Sequence, residues 1–182
     1  MINLNLNQAD FSNADLRGTI IVNSVLKNVK MNKVILSEDI KLKGSDLTGA
    51  TLTNTNLKRI GFSETTLVRT NFDNSDLDET NFSGMNLDKV SFVEANLNNA
   101  DFRKSKLTNV DFTDADLTGA KFQFSTLDSV KLFQTTFSVV KLSSTVIINA
   151  DFSRVDYFDT DFCPISEDSE FEYLEKLIKK CK

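Results

Sequence analysis

The sequence predicts an all-β solenoid, a chain wound into stacked coils, and three regularities carry that prediction. A large apolar residue recurs at every fifth position, from Leu42, Leu47, Leu52, Leu57 and Phe62 through to Phe162, in 25 centres without a slip. An earlier run of seven, Leu6, Phe11, Leu16, Ile21, Leu26, Met31 and Leu36, keeps the same period. Two residues before each of these 32 centres the chain places Ala, Ser, Thr or Val 28 times, the exceptions being Leu4, Ile40, Ile60 and Met85. Through the middle of the chain the centres alternate Phe and Leu, a period of ten. A helix repeats every 3.6 residues and a flat strand every 2, so neither keeps every fifth residue on one side. The chain must turn once per unit.

The first seven units form one segment. Leu36 and Leu42 are six residues apart, so one extra residue lies within 37–41, where a bulge or tight loop is expected. By phase, Ile20, Val22, Val25 and Ile35 face outward in this irregular first run.

The long second run indicates how many units close a coil. A period of ten suits coils of two or four sides, and two-sided coils leave little room for large side chains from facing walls, which favours four. Four-sided coils put Phe62, Phe82, Phe102 and Phe122 on one wall and Phe72, Phe92 and Phe112 on the opposite one. Leu67, Leu87, Leu107 and Leu127 form a third column, and Leu77, Leu97 and Leu117 a fourth. Like would then stack on like at the ~4.8 Å spacing of strands. The position just before a centre is often Asp or Asn, as in the units at 95–99, 100–104 and 115–119.

The repeat region is expected over 1–163 and a separate helical element over 164–182. Pro164 removes a donor after the last centre. Ser166 can cap a helix, Glu167, Asp168 and Glu170 load its first turn, and Lys176, Lys179, Lys180 and Lys182 its last. Phe171, Leu174, Leu177, Ile178 and Cys181 fall on one side at helical spacing. The helix is expected to cover the open last coil or to pair two copies. Phe124, Phe133, Val139, Val146, Ile148 and Phe158, outward by phase near that end, add an apolar surface, and Phe124, Phe133 and Phe158 join the helix stripe as candidate dimer contacts.

Composition excludes several classes. The 182 residues carry 21 basic and 26 acidic side chains, a net −5, with no His or Trp, one Pro and two Cys. With no His as a base and no nucleophile, phosphate-loop or metal-ligand motif, the sequence predicts a protein that is not an enzyme and holds no cofactor. Cys163 and Cys181 lack metal-ligand spacing. The acidic balance argues against direct nucleic-acid binding, which works through basic residues. No apolar run suggests a membrane span. The first residues show no basic segment followed by an apolar stretch, so the cytoplasm is the expected compartment.

Charge is unevenly placed. Residues 1–59 sum to +3 and residues 60–120 to −6. Outward residues of 41–162, sorted by wall, sum to +3 for the wall of Phe102, 0 for that of Leu107, −3 for that of Phe112 and −4 for that of Leu117. Two adjoining walls are therefore acidic. One carries Asp73, Glu94, Asp111 and Asp114; the other carries Asp76, Asp78, Glu79, Asp116, Asp156 and Asp159. Glu94 and Asp114 fall one coil apart on the same corner, in a column that reads Asn54, Asn74, Glu94, Asp114, Gln134.

These units, with Asp or Asn between a small and a large inward residue, resemble the pentapeptide-repeat family over nearly all of residues 4–163. The resemblance implies a right-handed quadrilateral β-helix, here of about eight coils and about 38 Å of rod. It also implies a C-terminal helix that pairs two rods as a homodimer. Several members of this size bind bacterial DNA gyrase or topoisomerase IV as DNA mimics, inhibiting the enzyme or protecting it from quinolones or gyrase-directed toxins. On that implication the ten acids of the two walls face the topoisomerase, and a rod roughly 20 Å thick matches a duplex in girth. The chain departs from the plasmid-type quinolone-resistance members in having no loop projecting between coils over 42–162. The alternative expectation is an adaptor rod that joins other proteins without acting on gyrase.

Overall fold

The computed structural model describes residues 1–152 and 154–161. The chain winds as a four-sided β-solenoid, and the bridges between coils give the number of sides directly. Asp10, Lys30, Thr51, Asn71, Ser91, Asp111, Lys131 and Asp151 are joined in turn by parallel bridges. Each step is 20 residues, four units of five, except for the 21-residue step from Lys30 to Thr51 across the phase break. This wall is thus crossed eight times. Regular strands are fewer: among the described residues they are β1 (Asn86–Asp88), β2 (Lys106–Thr108), β3 (Thr126–Asp128), β4 (Thr136–Ser138), β5 (Val146–Ile148) and β6 (Asp156–Phe158). β1, β2, β3 and β5 form one parallel sheet on the Leu107 wall, and β4 pairs with β6 on the Leu117 wall.

The large centres fill the interior. Phe62, Phe82, Phe102 and Phe122 stack face to face along one wall, with centroid spacings of 5.5, 5.0 and 4.9 Å. Phe72, Phe92 and Phe112 do the same on the opposite wall at 5.3 and 5.2 Å. The two stacks meet edge to face across the axis, as Phe92 and Phe102 do at 6.0 Å and 80°. Both arrangements suit the ring quadrupole. From Ser24 to Val155 the small residues two before the centres are buried beside them, while Ala9, Ala14, Thr19 and Thr160 in the end coils are half-buried. Several of the Thr hydroxyls among them find a carbonyl in the coil below: Thr70 donates to Leu47, Thr80 to Leu57, Thr135 to Phe112 and Thr145 to Phe122, at 2.7 to 3.1 Å.

Each corner is a tight turn. The centre's carbonyl accepts from the N–H three residues on, as Phe92 does from Ala95 at 3.1 Å. The second residue after the centre takes positive φ, from Gln8 at 61° to Asp114 at 58°. That is the residue for which a type II turn requires positive φ. The Asp or Asn preceding a centre has a local purpose: its side chain accepts the N–H two residues on, as at Asp101, Asp111 and Asp116, each at 3.0 Å. The frequent Asp in the repeat is therefore a turn cap as well as a charge.

The extra residue falls in a turn at 38–39. The Ile40 N–H closes it on the Ser37 carbonyl at 3.0 Å. Ser37 also replaces the carbonyl that the coil below would otherwise lack, because its Oγ accepts the Gly18 N–H at 3.0 Å. The phase break thus leaves the Gly18 donor satisfied.

The inward set departs from expectation at the two ends. Tyr157, an expected centre, is 38% exposed, and Leu4 is 41% exposed. Both lie in terminal coils, where a rung has a neighbouring coil on one side only among the described residues. Ile20, Val25 and Ile35 are exposed, as their phase requires. The expected helix at 164–182, with Phe171, Leu174, Leu177 and Ile178, lies outside the described residues, as do Phe162 and Cys163. No helix among the described residues is long and apolar enough to cross a membrane.

Candidate functional site

The four walls place the ten acids as two adjoining faces, and hydrogen bonding divides the ten into three groups. Asp78, Glu79 and Asp111 are neutralised by bases one coil below or above. Lys58 reaches Asp78 at 2.9 Å, Arg59 meets Glu79 at 2.9 Å, and Lys131 meets Asp111 at 2.9 Å. The expected acidic cluster Asp76, Asp78 and Glu79 is therefore largely a lattice of ion pairs. The partners stand 20 residues apart in sequence, the spacing of one coil. Opposite charges at that spacing were a readable signal, and a tally of charge by wall does not register it.

These pairs shift the carboxyls. Burial pushes Asp78 up, yet hydrogen bonds from Lys58 and Asn99 outweigh it and leave the group below its ordinary value. Asp111 shows the same balance, with burial opposed by Thr113 and Lys131. Glu79 is lowered by its hydrogen bonds to Arg59.

A second group accepts hydrogen bonds from backbone and neutral side-chain donors. Asp76 accepts the Asp78 N–H at 3.2 Å and the Asn96 side-chain amide at 2.9 Å. Asp116 accepts the Thr118 N–H and hydroxyl. Asp73 reaches across to the next coil, accepting the Val93 N–H at 3.0 Å and the Ser91 hydroxyl. Glu94, Asp114, Asp156 and Asp159 form the third group and are exposed. None of these seven makes an ion pair with another described residue.

Register then orders the charge that remains. Asp76, Asn96, Asp116, Thr136 and Asp156 are bridged in turn up the Leu117 wall. Acids occupy every second rung, about 9.6 Å apart at the strand spacing. Glu94 and Asp114 stand on successive rungs of the Phe112 corner, both at positive φ. The surface is a spaced carboxylate ladder. Among the described residues no group of three or more His, Cys, Asp or Glu is placed to hold a metal.

The apolar candidates surround the upper coils on more than one side. Phe124 follows Phe122 at a corner of the Phe102 wall and is 65% exposed; Phe133 lies on the Phe112 wall and is 47% exposed; Phe158 lies on the Leu117 wall and is 74% exposed. Val146 and Ile148, in β5, are half-buried. The guanidinium of Arg154 lies over the Phe133 ring, 5.7 Å from its centroid. With Asn149 and Asp151, these two residues line a shallow groove of about 270 Å³.

Comparison with known proteins agrees with this architecture. The family model described as "Pentapeptide repeats (8 copies)" matches residues 1–37 and 38–67, and the one described as "Pentapeptide repeat region" matches residues 56–132. No curated protein matches the chain. Among solved structures, HetL from Nostoc sp. strain PCC 7120, a pentapeptide repeat protein involved in heterocyst differentiation regulation, is 22% identical with a TM-score of 0.45. That match covers 88% of this chain and 84% of HetL. Trypsin-treated QnrB1, a plasmid-mediated fluoroquinolone resistance protein, is 16% identical with a TM-score of 0.49, covering 100% of this chain and 88% of its own. Rfr23 from Cyanothece 51142 is 18% identical with a TM-score of 0.34, over 64% of this chain and 90% of its own. With five-residue periodicity, four-sided coils and contiguous family matches over residues 1–132, the chain belongs to the pentapeptide-repeat family.

Proposed function

We propose that this rod is a binding protein whose Phe112 and Leu117 walls engage the positively charged DNA path of a bacterial type II topoisomerase, DNA gyrase or topoisomerase IV. One observation carries the reading: Asp76, Asp116 and Asp156 stand in register on one wall with no ion pair among the described residues. A row of carboxylates held at fixed spacing by backbone hydrogen bonds presents charge as a nucleic-acid backbone does. The rod's charge is far sparser than that of a duplex, which carries one per ~1.7 Å of axis. Mimicry of this kind is local to two walls and supplies orientation and encounter rate more than raw affinity. The role is recognition, without catalysis or cofactor, and pairing of two rods through residues 164–182 belongs to the same proposal.

The testing experiment is a gyrase supercoiling assay titrated with purified protein, with and without a quinolone. Inhibition, or supercoiling restored in the presence of drug, supports the reading. No effect at tens of micromolar contradicts it.

A second reading has its own observation. Phe124, Phe133 and Phe158 are exposed near one end, which suits an adaptor rod that recruits another protein. Substituting those three then abolishes partner binding, and charge removal at Asp76, Asp116 and Asp156 leaves it intact.

A further inference from the structure

We propose that the last residues of the chain, 176–182, dock on the upper Leu117 wall of their own rod, over Phe158 and Val139.

This surface combines an apolar pair with a surplus of acid. Phe158 is 74% and Val139 45% exposed, and they lie on neighbouring rungs, the Val139 N–H donating to the Phe158 carbonyl at 2.8 Å. Val139 holds φ at 56°, as Phe124 holds 62° two corners back along the chain's outward apolar set, and a bulky or β-branched residue in the left-handed region is an outlier. Asp156 and Asp159 flank Phe158 and are both exposed. Neither makes an ion pair with another described residue. The bases nearby do not offset them. Lys121 and Lys141 belong to the adjoining wall, in a bridged column that reads Asp101, Lys121, Lys141, Asp161 and is balanced in itself. The Arg154 guanidinium lies over the Phe133 ring. The charge left at Phe158 is therefore negative, and the occupant that fits is apolar and basic.

Residues 176–182 lie outside the described residues, and their sequence has that chemistry. Lys176, Lys179, Lys180 and Lys182 alternate with Leu177, Ile178 and Cys181, with no acid among them. They are also within reach. The described chain ends at Asp161 on the Phe102 wall, which meets the Leu117 wall at the Val139 corner. Fifteen residues separate Asp161 from Lys176. That stretch spans about 22 Å even at helical rise, enough to cross a rod roughly 20 Å thick. Attachment to the same chain presents the segment at an effective concentration on the order of millimolar, which a second copy in dilute solution does not match. Phe171 and Leu174, earlier in the sequence, remain for the pairing of two rods.

One consequence rests on the topoisomerase reading. Docked lysines neutralise Asp156, the last acid of the Leu117 row, so a partner that uses the whole row must first displace them.

The test is disulfide trapping in the full chain with Cys163→Ser, which leaves Cys181 as its one native thiol. Ser138→Cys adds a thiol on the rung below Phe158, and Ser63→Cys adds one far down the Phe102 wall as a control. In glutathione redox buffers at micromolar protein, the effective concentration of Cys181 at position 138 is expected to exceed that at position 63 roughly tenfold or more. Exchanging the four lysines for Gln, or Asp156→Asn with Asp159→Asn, is expected to lower it severalfold, as is raised salt. The proposal is overturned by equal effective concentrations at the two positions, by insensitivity to both charge variants, or by disulfide-linked dimers in place of the intramolecular bond. Trapping involves no gyrase, so the contact stands or falls apart from the topoisomerase reading. Where the parent protein acts on gyrase, the four-Gln variant is expected to act more potently, and unchanged potency overturns the masking of Asp156.

Discussion

Arg59 reaches up one coil and grips Glu79 with two hydrogen bonds, Nε to Oε2 at 2.9 Å and Nη2 to Oε1 at 3.0 Å. Lys58 and Asp78 stand beside them in the same relation. Because coils stack in a fixed register, a charge on one rung meets the residue 20 positions on, and that contact decides whether an acid is available to a partner. Of the two acidic walls, the part that looks densest in sequence is the part most neutralised. The carboxylates left for recognition are the spaced ones, Asp76, Asp116, Asp156, Glu94 and Asp114.

The Phe stack holds the middle of the rod. Phe92 is fully buried and stacked on Phe72 at 5.3 Å and Phe112 at 5.2 Å. Phe92→Ala is expected to lower unfolding free energy by about 3–5 kcal/mol. Phe92→Leu, the residue other walls use, is expected to lose less. Urea denaturation followed by circular dichroism measures both.

Gly119 is tied to Asn99 beneath it. A Cβ at Gly119 would lie 2.6 Å from Asn99 Oδ1, and φ is +71°. Gly119→Ala is therefore expected to destabilise by about 1–3 kcal/mol. In an Asn99→Ala background the same substitution is expected to lose less, by about 1 kcal/mol, since only the φ strain persists. A double-mutant cycle in urea reads this coupling, and strict additivity would show that the contact is unimportant.

Buried hydroxyls fall into two kinds. Thr145 Oγ1 donates to the Phe122 carbonyl at 2.7 Å. Ser125 Oγ is buried with no hydrogen-bond partner among the described residues. Thr145→Val is expected to destabilise by about 1 kcal/mol, whereas Ser125→Ala is expected to be neutral or stabilising. Thermal melts of the two variants side by side check the contrast.

Acid sensitivity follows from the paired carboxyls. Asp46, Asp78, Asp101 and Asp111 are all held below their ordinary value of 3.8; in each, burial opposes the shift and hydrogen bonds from neighbours prevail. A carboxyl with a depressed folded-state pKa stabilises the fold above its unfolded value and loses that contribution as pH falls through the folded one. The melting temperature is expected to be level above about pH 5 and to fall progressively below about pH 4. A midpoint of loss near neutrality would contradict these assignments.

Much of the fold was legible because packing is periodic. The alternation at Phe92, Leu97, Phe102 and Leu107 implies columns of like residues, and the bridges 20 residues apart place them so. The small residue two before each centre is the second inward position, as Thr70 and Ala95 show. The site was less legible, since a charge count by wall ignores contacts between coils. Lys58, Arg59 and Lys131 became visible as neutralising partners only once register was applied. Terminal coils were least legible: Tyr157 keeps the phase of an inward centre, yet exposure at the end of a stack depends on what lies beyond it. The strain at Phe124 and Val139 is invisible to hydropathy and emerges only when each corner is known to need positive φ.

The most direct test of the acidic-wall account is the triple substitution Asp76→Asn, Asp116→Asn and Asp156→Asn in the gyrase supercoiling assay. Asn retains the side-chain oxygen that caps the turns at Asp76 and Asp116 and removes only the charge, so the melting temperature is expected to hold. The account predicts that the triple variant loses at least tenfold in inhibitory or protective potency, while Asp78→Asn with Glu79→Gln, which removes already neutralised charges, loses much less. Equal potency of the triple variant and the parent, with both folded, would contradict it.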